Sequence, residues 1–214
     1  MKIFLASGNQ HKKKEMSAIF SKHQIVLPSD EGIDFDVEEN GDSFVANSLI
    51  KAETLYRITK QPVLADDSGI CVDILGGAPG IFSSRYAGRS MRRGNPDGTI
   101  MQQEQRNLLL LEDVAQELAQ NTTTSSNRSC HYVCAMVLYL GPDRFYVAQE
   151  TMEGYLISDI SEAKGERGFG YDPIVILKDY NKTVAELSDE EKNKVSHRGK
   201  AGRILQTLLD TIEK

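Results

Sequence analysis

Pro62-Val63-Leu64-Ala65-Asp66-Asp67-Ser68-Gly69 is the stretch on which the fold turns. A short apolar run bounded by proline and glycine reads as a buried strand, so Asp66 and Asp67 are expected to emerge at its carboxyl end, where open α/β sheets place their ligands. Adjacent buried carboxylates repel unless something positive lies between them. A hard divalent cation supplies that charge through oxygen ligands, and Mg²⁺ favours a few carboxylates plus the phosphates of a substrate. Asp-Asp-Ser-Gly is also ordinary turn chemistry, so other segments have to decide.

Upstream, residues 2–6 read as a first strand, and Ser7-Gly8-Asn9 turns it into a helix with Met16, Ile19 and Phe20 at helical spacing. Asp42 or Ser43 can cap a second helix whose stripe of Phe44, Ser48, Leu49, Ala52, Leu55 and Tyr56 runs towards Lys60. Downstream, a separate strand is expected at residues 70–75, then a glycine-rich loop at 76–80 that reads as a cleft rim. Asp97 is expected to cap a long helix through Gln120, and the polar run 121–127 reads as a mobile connection. Residues 133–140 and 144–149 form a hairpin pattern, with another strand near 155–158 and one at 174–177. Ser188-Asp189-Glu190-Glu191 is a capping box ahead of a final helix carrying Ile204, Leu205, Leu208 and Ile212. The expectation is a single 1–214 domain of two lobes.

The chain has 214 residues, enough for a substantial core without staples. Its net charge of -6 argues against a nonspecific nucleic-acid surface or an anionic-membrane surface. The opening residues reach polar sequence too soon for a signal peptide, and no apolar run approaches a membrane span, so a cytoplasmic location is expected. Cys71, Cys130 and Cys134 lack a CxxC pair and favour reduced thiols. Cys130, His131 and Cys134 are close in sequence, but on a strand the cysteines share one face and His131 takes the other, which argues against zinc.

Five further segments carry chemistry. Ser7-Gly8-Asn9-Gln10-His11-Lys12 places a hydroxyl, an amide and an ammonium at a helix N-terminus, where backbone N–H groups and the helix dipole attract an anion. The alternative is a capped surface helix with a solvated lysine run. Glu38 or Glu39 can complete a cation site with Asp66 or Asp67, or belong to an acidic solvated loop. Lys51 is a phosphate ligand if its helix face turns inward, and a solvated lysine otherwise. The loop 165–173 interleaves glycines with Phe169, Tyr171 and Asp172, which suits closure on a flat ring: an aromatic stacks and Asp172 accepts from the ring edge. The alternative is a bend whose aromatics anchor it to the core. In Ser196-His197-Arg198-Gly199, Arg198 offers a planar fork of donors and His197 a further donor; a helix C-terminal cap is the other reading.

Together, Ser7-Gly8-Asn9-x-x-Lys12, Ala65-Asp66-Asp67-Ser68-Gly69, Gly76-Gly77-Ala78-Pro79-Gly80, Phe169-Gly170-Tyr171-Asp172-Pro173 and Ser196-His197-Arg198-Gly199 resemble the inosine/xanthosine triphosphate pyrophosphatase family over nearly the whole chain. The resemblance also takes in Lys51-Ala52, Ser84-Arg85-Tyr86-Ala87-Gly88 and residues 182–192. It implies an α/β fold, an elongated mixed β-sheet with flanking helices forming two lobes around a substrate cleft, and a homodimer. The implied activity is Mg²⁺-dependent hydrolysis of deaminated purine nucleoside triphosphates (ITP, dITP, XTP) between the α and β phosphates. By motif, Ser7, Gly8, Asn9, Gln10, His11, Lys12 and Ser68 contact the triphosphate. Glu39 and Asp67 hold the metal, Asp66 is a second metal contact, and Asp67 acts as base towards water. Phe169, Gly170, Tyr171 and Asp172, with Lys192, His197 and Arg198, enclose the base and read its 6-oxo edge. The alternatives are a pyrophosphatase for another modified nucleotide and a purine nucleotide sensor without turnover. Two departures stand out: Ala46 replaces a usual Glu before Asn47, and residues 89–96 look longer and more basic than in relatives, which reads as a solvated insertion.

Overall fold

The computed structural model describes residues 1–91, 93–120 and 127–212. Its strands and α-helices run β1 (Lys2–Leu5), α1 (Gln10–Ile19), β2 (Gln24–Val26), α2 (Phe44–Thr59), β3 (Val63–Val72), α3 (Gln103–Gln120), β4 (Ser129–Gly141), β5 (Arg144–Leu156), β6 (Val175–Leu177), β7 (Lys182–Thr183), α4 (Asp189–Val195) and α5 (His197–Ile212). Among the described residues the strands form one mixed sheet in the order β2-β1-β3-β4-β5-β6-β7. β1 pairs in parallel with β2 and β3, while β6 is antiparallel to β5 and β7. The mixed sheet with flanking helices is the fold class that the sequence led us to expect.

The chain divides into two compact units. The first comprises Met1–Ser68, Cys134–Glu150 and Val195–Lys214; the second comprises Gly69–Val133 and Thr151–Lys194. In the first unit, strand alternation feeds two cores. Ile3, Leu5, Leu64, Cys134, Met136 and Leu138 pack with Met16 and Phe20 of α1 and Ala201, Leu205 and Leu209 of α5. Phe4, Val63, Ala65, Val137 and Tyr139 take the opposite parity and pack with Ala52 and Leu55 of α2. The register Phe4↔Val63, Leu5↔Leu64 keeps like faces together, and a one-residue slip would exchange the two cores. In the second unit, α3 buries Leu110, Leu111 and Val114. Its α4 carries the expected capping box: the Glu191 N–H donates to Ser188 Oγ (3.2 Å) and the Ser188 N–H to Glu191 Oε2 (2.8 Å).

Several boundaries differ from expectation. The strands expected at 63–65 and 70–75 are one strand, so Asp66 and Asp67 lie inside β3 and not at its end. Ile70 and Val72 are fully buried, and this apolar, β-branched continuation keeps the Ser-Gly step extended. The strand expected near 155–158 is likewise the far end of β5. Asp97 does not cap α3. Its Oδ1 accepts from the Thr99 N–H (2.9 Å), a local turn that uses up the side chain before α3 begins at Gln103. The Ser196-His197-Arg198-Gly199 segment opens α5, with the Gly199 N–H donating to Ser196 Oγ (3.0 Å). The connection expected at 121–127 falls on residues outside the described ones except Asn127.

No helix among the described residues is long and apolar enough to cross a membrane. The three cysteines are free and buried, and no three His, Cys, Asp or Glu among the described residues gather as a metal cluster. Burial, reinforced by Asp73, pushes the Cys71 thiol up to about 11, and burial drives Cys130 and Cys134 upward as well. Because the thiolate is the nucleophile, we expect a maleimide at neutral pH to leave all three unlabelled in the folded protein and to label them in guanidinium. Rapid labelling without denaturant would contradict this burial.

Candidate active site

Because β3 runs straight through the acidic pair, alternation turns the two carboxylates to opposite faces of the sheet. Asp66 follows the parity of Leu64, towards α1 and α5. Its Oδ2 receives Lys12 Nζ from α1 at 3.0 Å and the Nε and Nη2 of Arg198 from α5 at 3.2 Å each. Arg198 also donates through Nη1 to Glu15 Oε2 (2.6 Å) and through Nη2 to Ser68 Oγ (3.0 Å). Asp66 is 1% exposed and its Oδ1 has no hydrogen-bond partner among the described residues. Burial alone would raise its pKa, but Lys12, Arg198 and Lys51 together hold the carboxyl well below the usual range. Burial also works against the Arg198 charge, and Asp66 and Glu15 reverse this and raise its pKa.

Asp67 takes the parity of Val63 and Ala65 and faces α2. On that helix Asn47 and Lys51 are one turn apart, so both point at the strand. Asn47 Nδ2 donates to Asp67 Oδ2 (3.1 Å), and Lys51 Nζ lies 3.8 Å from Asp67 Oδ1 and 3.1 Å from Glu39 Oε1. The inward alternative for Lys51 is therefore the one realised: the residue is 7% exposed. Burial raises the pKa of Asp67; Glu39 adds to the rise, while Lys51 and the Asn47 bond oppose it. Asp66 and Asp67 are thus adjacent acids driven in opposite directions, one held towards its charged form and one towards its neutral form.

Glu39 and Asp67 meet around a single ammonium and offer oxygen donors only. That donor set fits Mg²⁺, which uses one or two carboxylates together with substrate phosphates and does not need an all-protein cage. Asp66 turns to the other face, where Lys12 and Arg198 meet it.

At the start of α1, Asn9 caps the helix: its Oδ1 accepts from the N–H groups of His11 (2.8 Å) and Lys12 (3.4 Å), and its own N–H donates to Ser7 Oγ (3.1 Å). Gly8, Gln10 and His11 are exposed, and Lys12 alone of this segment reaches back to Asp66. Arg198 stands with Asp66 in the first unit, and His197, buried beside it, opens α5.

The second unit holds its own constellation. Asp172, 3% exposed, receives Lys192 Nζ (2.7 Å) and the Phe169 N–H (2.9 Å) on Oδ2, and the Tyr132 hydroxyl (3.2 Å) on Oδ1. Lys192 Nζ also lies 4.7 Å from the centre of the Phe169 ring, whose side is 40% exposed. The loop can close this tightly because residue 168 is glycine. A Cβ there would lie 2.1 Å from Asp172 Oδ2, and its φ of +77° favours glycine in any case. Gly170 follows it in the same left-handed region. The Tyr171 hydroxyl donates to the Ser83 carbonyl (2.8 Å) and Asn107 Nδ2 to the Gly170 carbonyl (3.3 Å), so Tyr171 anchors the loop while Phe169 stays exposed. Of the basic segment 89–96, Arg89 pairs with Glu117 and Arg93 lies 5.8 Å from the Phe82 ring centre.

Sequence reasoning passed over Glu15, Asn47, Asn107 and Tyr132. Glu15 follows Lys12 by three positions and so shares its helix face, and Asn47 precedes Lys51 by four. Tyr132 alternates with Cys130 and Cys134 on the buried face of β4, where a hydroxyl needs a partner. Asn107 gave no sequence signal beyond a polar residue beside a leucine run.

Known proteins resemble this chain over nearly its whole length. A family model described as the Ham1 family matches residues 3–208. A dITP/XTP pyrophosphatase of Treponema denticola is 48% identical over 207 residues, covering 94% of each chain. The corresponding protein of Bacillus licheniformis is 36% identical over 210 residues, covering 97% of each. Among solved structures, a HAM1 protein from Coxiella burnetii superposes with a TM-score of 0.83 at 32% identity over 99% of both chains. The Staphylococcus aureus Ham1 protein gives a TM-score of 0.76 at 33% identity over 100% of both. On this evidence the chain belongs to the Ham1 family.

Proposed function

We propose that the protein is a Mg²⁺-dependent nucleoside triphosphate pyrophosphatase that hydrolyses deaminated purine nucleotides, dITP, ITP and XTP, to the monophosphate and pyrophosphate and so cleanses the nucleotide pool. The observation that carries this reading is the meeting of Glu39 and Asp67 around Lys51, with burial raising Asp67 towards the range of a working base. The names of relatives covering nearly the whole chain point the same way. When bound, the metal supplies Lewis-acid stabilisation of the charge that develops on the phosphates.

The chain's own residues do the rest. Asp67 accepts a proton from the attacking water through a remaining lone pair of its carboxylate, which Asn47 holds at Oδ2 and the Ser68 N–H holds at Oδ1 (3.0 Å). Lys12 and Lys51 place positive charge where the leaving pyrophosphate becomes more negative, and Ser7, Ser68 and the exposed turn at Gly8 offer hydrogen bonds to the phosphates. Phe169 stacks on the purine. Lys192, held by Asp172, donates a further hydrogen bond to its 6-oxo group, a bond that adenine's amino group cannot accept.

The test is a panel of dITP, ITP, XTP, GTP, dATP and modified pyrimidine triphosphates, assayed for pyrophosphate with and without Mg²⁺. Release from dITP, ITP and XTP that stops on chelation is expected. Turnover of a modified pyrimidine alone, or calorimetric binding of dITP with no product, would overturn the assignment. Within it, we expect Lys192→Met to lower kcat/KM for dITP about 10- to 100-fold, the loss of one charge-assisted bond, with a much smaller effect on residual dATP turnover. An equal loss on both substrates would remove Lys192 from base reading. The homodimer belongs to the same reading: Phe145 and Val147 alternate on β5 at 41% exposure each, apolar surface that a second copy can cover, and a monomer by light scattering would refute it.

A further inference from the structure

We propose that Asn47 is a positioning residue that locks the loop bearing Glu39 onto Asp67, so that one buried amide sets the spacing of the two carboxylates. Asn47 is 0% exposed and spends both ends of its side chain. Its Oδ1 accepts from the Gly41 N–H (2.8 Å), two residues beyond Glu39, and its Nδ2 donates to Asp67 Oδ2 (3.1 Å). The Asn47 N–H itself makes the first helical bond of α2, to the carbonyl of the Ser43 cap (3.0 Å). The amide therefore bridges two segments, an irregular loop and strand β3, and no other side chain among the described residues bonds both the Gly41 N–H and Asp67.

Two consequences follow from the chemistry of an amide. It offers one acceptor and one donor group, and only Asn at this length presents the acceptor to the loop and the donor to the carboxylate. Asn47 on Oδ2 and the Ser68 N–H on Oδ1 (3.0 Å) together hold the carboxylate with Oδ1 3.8 Å from Lys51 Nζ, the ammonium that Glu39 also meets. Gly41 is the loop's half of the device. A Cβ there would lie 2.7 Å from Asn47 Oδ1 and 2.8 Å from Ala46 Cβ, although its backbone conformation would tolerate a side chain. Gly41→Ala thus strains the lock from the opposite side without removing a hydrogen-bonding group.

This inference rests on the metal and base roles proposed above, and its test separates the two. Wild type, Asn47→Ala, Asn47→Asp, Gly41→Ala and the double variant Gly41→Ala/Asn47→Ala are compared by circular dichroism and thermal melting, by calorimetry with Mn²⁺ alone, and by kcat and KM for dITP with Mg²⁺. Asn47→Ala should weaken Mn²⁺ binding at least tenfold and lower kcat by about 10- to 100-fold, as loss of a partner behind a metal ligand does, with KM within about threefold. Asn47→Asp keeps the acceptor for Gly41 but sets a second carboxylate against Asp67, and should be impaired in kcat to a similar degree. Gly41→Ala should reproduce the pattern more weakly, and the double variant should fall short of the sum of the two single losses, because part of the Gly41→Ala strain acts through the Asn47 side chain and the rest through Ala46 Cβ. A folded Asn47→Ala with wild-type Mn²⁺ affinity and kcat would overturn the proposal. So would strictly additive effects of the two changes, or a lower melting temperature with kcat and Mn²⁺ affinity unmoved. If Asn47→Ala does not fold, Gly41→Ala carries the same decision. Wild type that binds Mn²⁺ but releases no pyrophosphate would refute the assigned reaction, leaving the Mn²⁺ affinities to judge Asn47.

Discussion

Asp67→Asn is expected to lower pyrophosphate release from dITP by about 10³-fold, the scale of a lost general base, in a protein that folds as well as wild type. The separation of activity from stability follows from the direction of the pKa shift. Burial raises Asp67 above its unfolded value, so the ionised carboxylate opposes folding once the pH exceeds that unfolded value. A neutral amide removes this penalty, can still meet Asn47 Nδ2 with its oxygen, and leaves the Lys51–Glu39 pair in place. The melting temperature at neutral pH should therefore stay level or rise while turnover collapses. Retained turnover in the folded variant would remove Asp67 from its assigned role.

The opposite balance is expected at Arg198. Arg198 is 2% exposed, and its guanidinium joins Asp66, Glu15 and Ser68, segments separated by up to 183 residues in the chain. Arg198→Met keeps most of the volume but strands a buried carboxylate with Lys12 as its remaining ion-pair partner, which should cost about 3–5 kcal/mol of stability. The pH dependence has a definite sign. Asp66 is depressed in the folded state, so its contribution is present above the unfolded value near pH 4 and is lost as the pH falls through the folded one. Arg198→Met should lose most of that contribution, so urea titrations should find its deficit largest at neutral pH and smaller in acid. An unchanged urea midpoint at neutral pH would mean that the pair contributes nothing net to the fold.

Elements whose signals are local were legible from the sequence. Asn9 and Ser43 cap α1 and α2, Ser188 and Glu191 close their box, and the stripes of Met16, Ala52 and Leu205 point at the cores their spacing predicts. The acidic pair was misjudged because its compensation is not local. A strand that carries two charges through its middle needs cations on both faces, and these arrive from α1, α2 and, 132 residues away, α5. With the partners invisible, ending the strand at Ala65 was the cheaper reading. The same distance hid Asn47 and Tyr132, ordinary polar residues in sequence whose meaning lies in Asp67 and Asp172 across the fold. Asp97 shows the converse: a residue suited to cap a helix was captured first by its own turn at Thr99.

The central claim is that Glu39 and Asp67 share one divalent cation with the substrate's phosphates. The most direct measurement is anomalous scattering from a crystal grown with Mn²⁺ and a dITP analogue blocked between the α and β phosphates. The account predicts one strong peak within about 2.2 Å of an oxygen from each of Glu39, Asp67 and the phosphate chain. A peak elsewhere, or an ion held by phosphate with both carboxylates turned away, would contradict it.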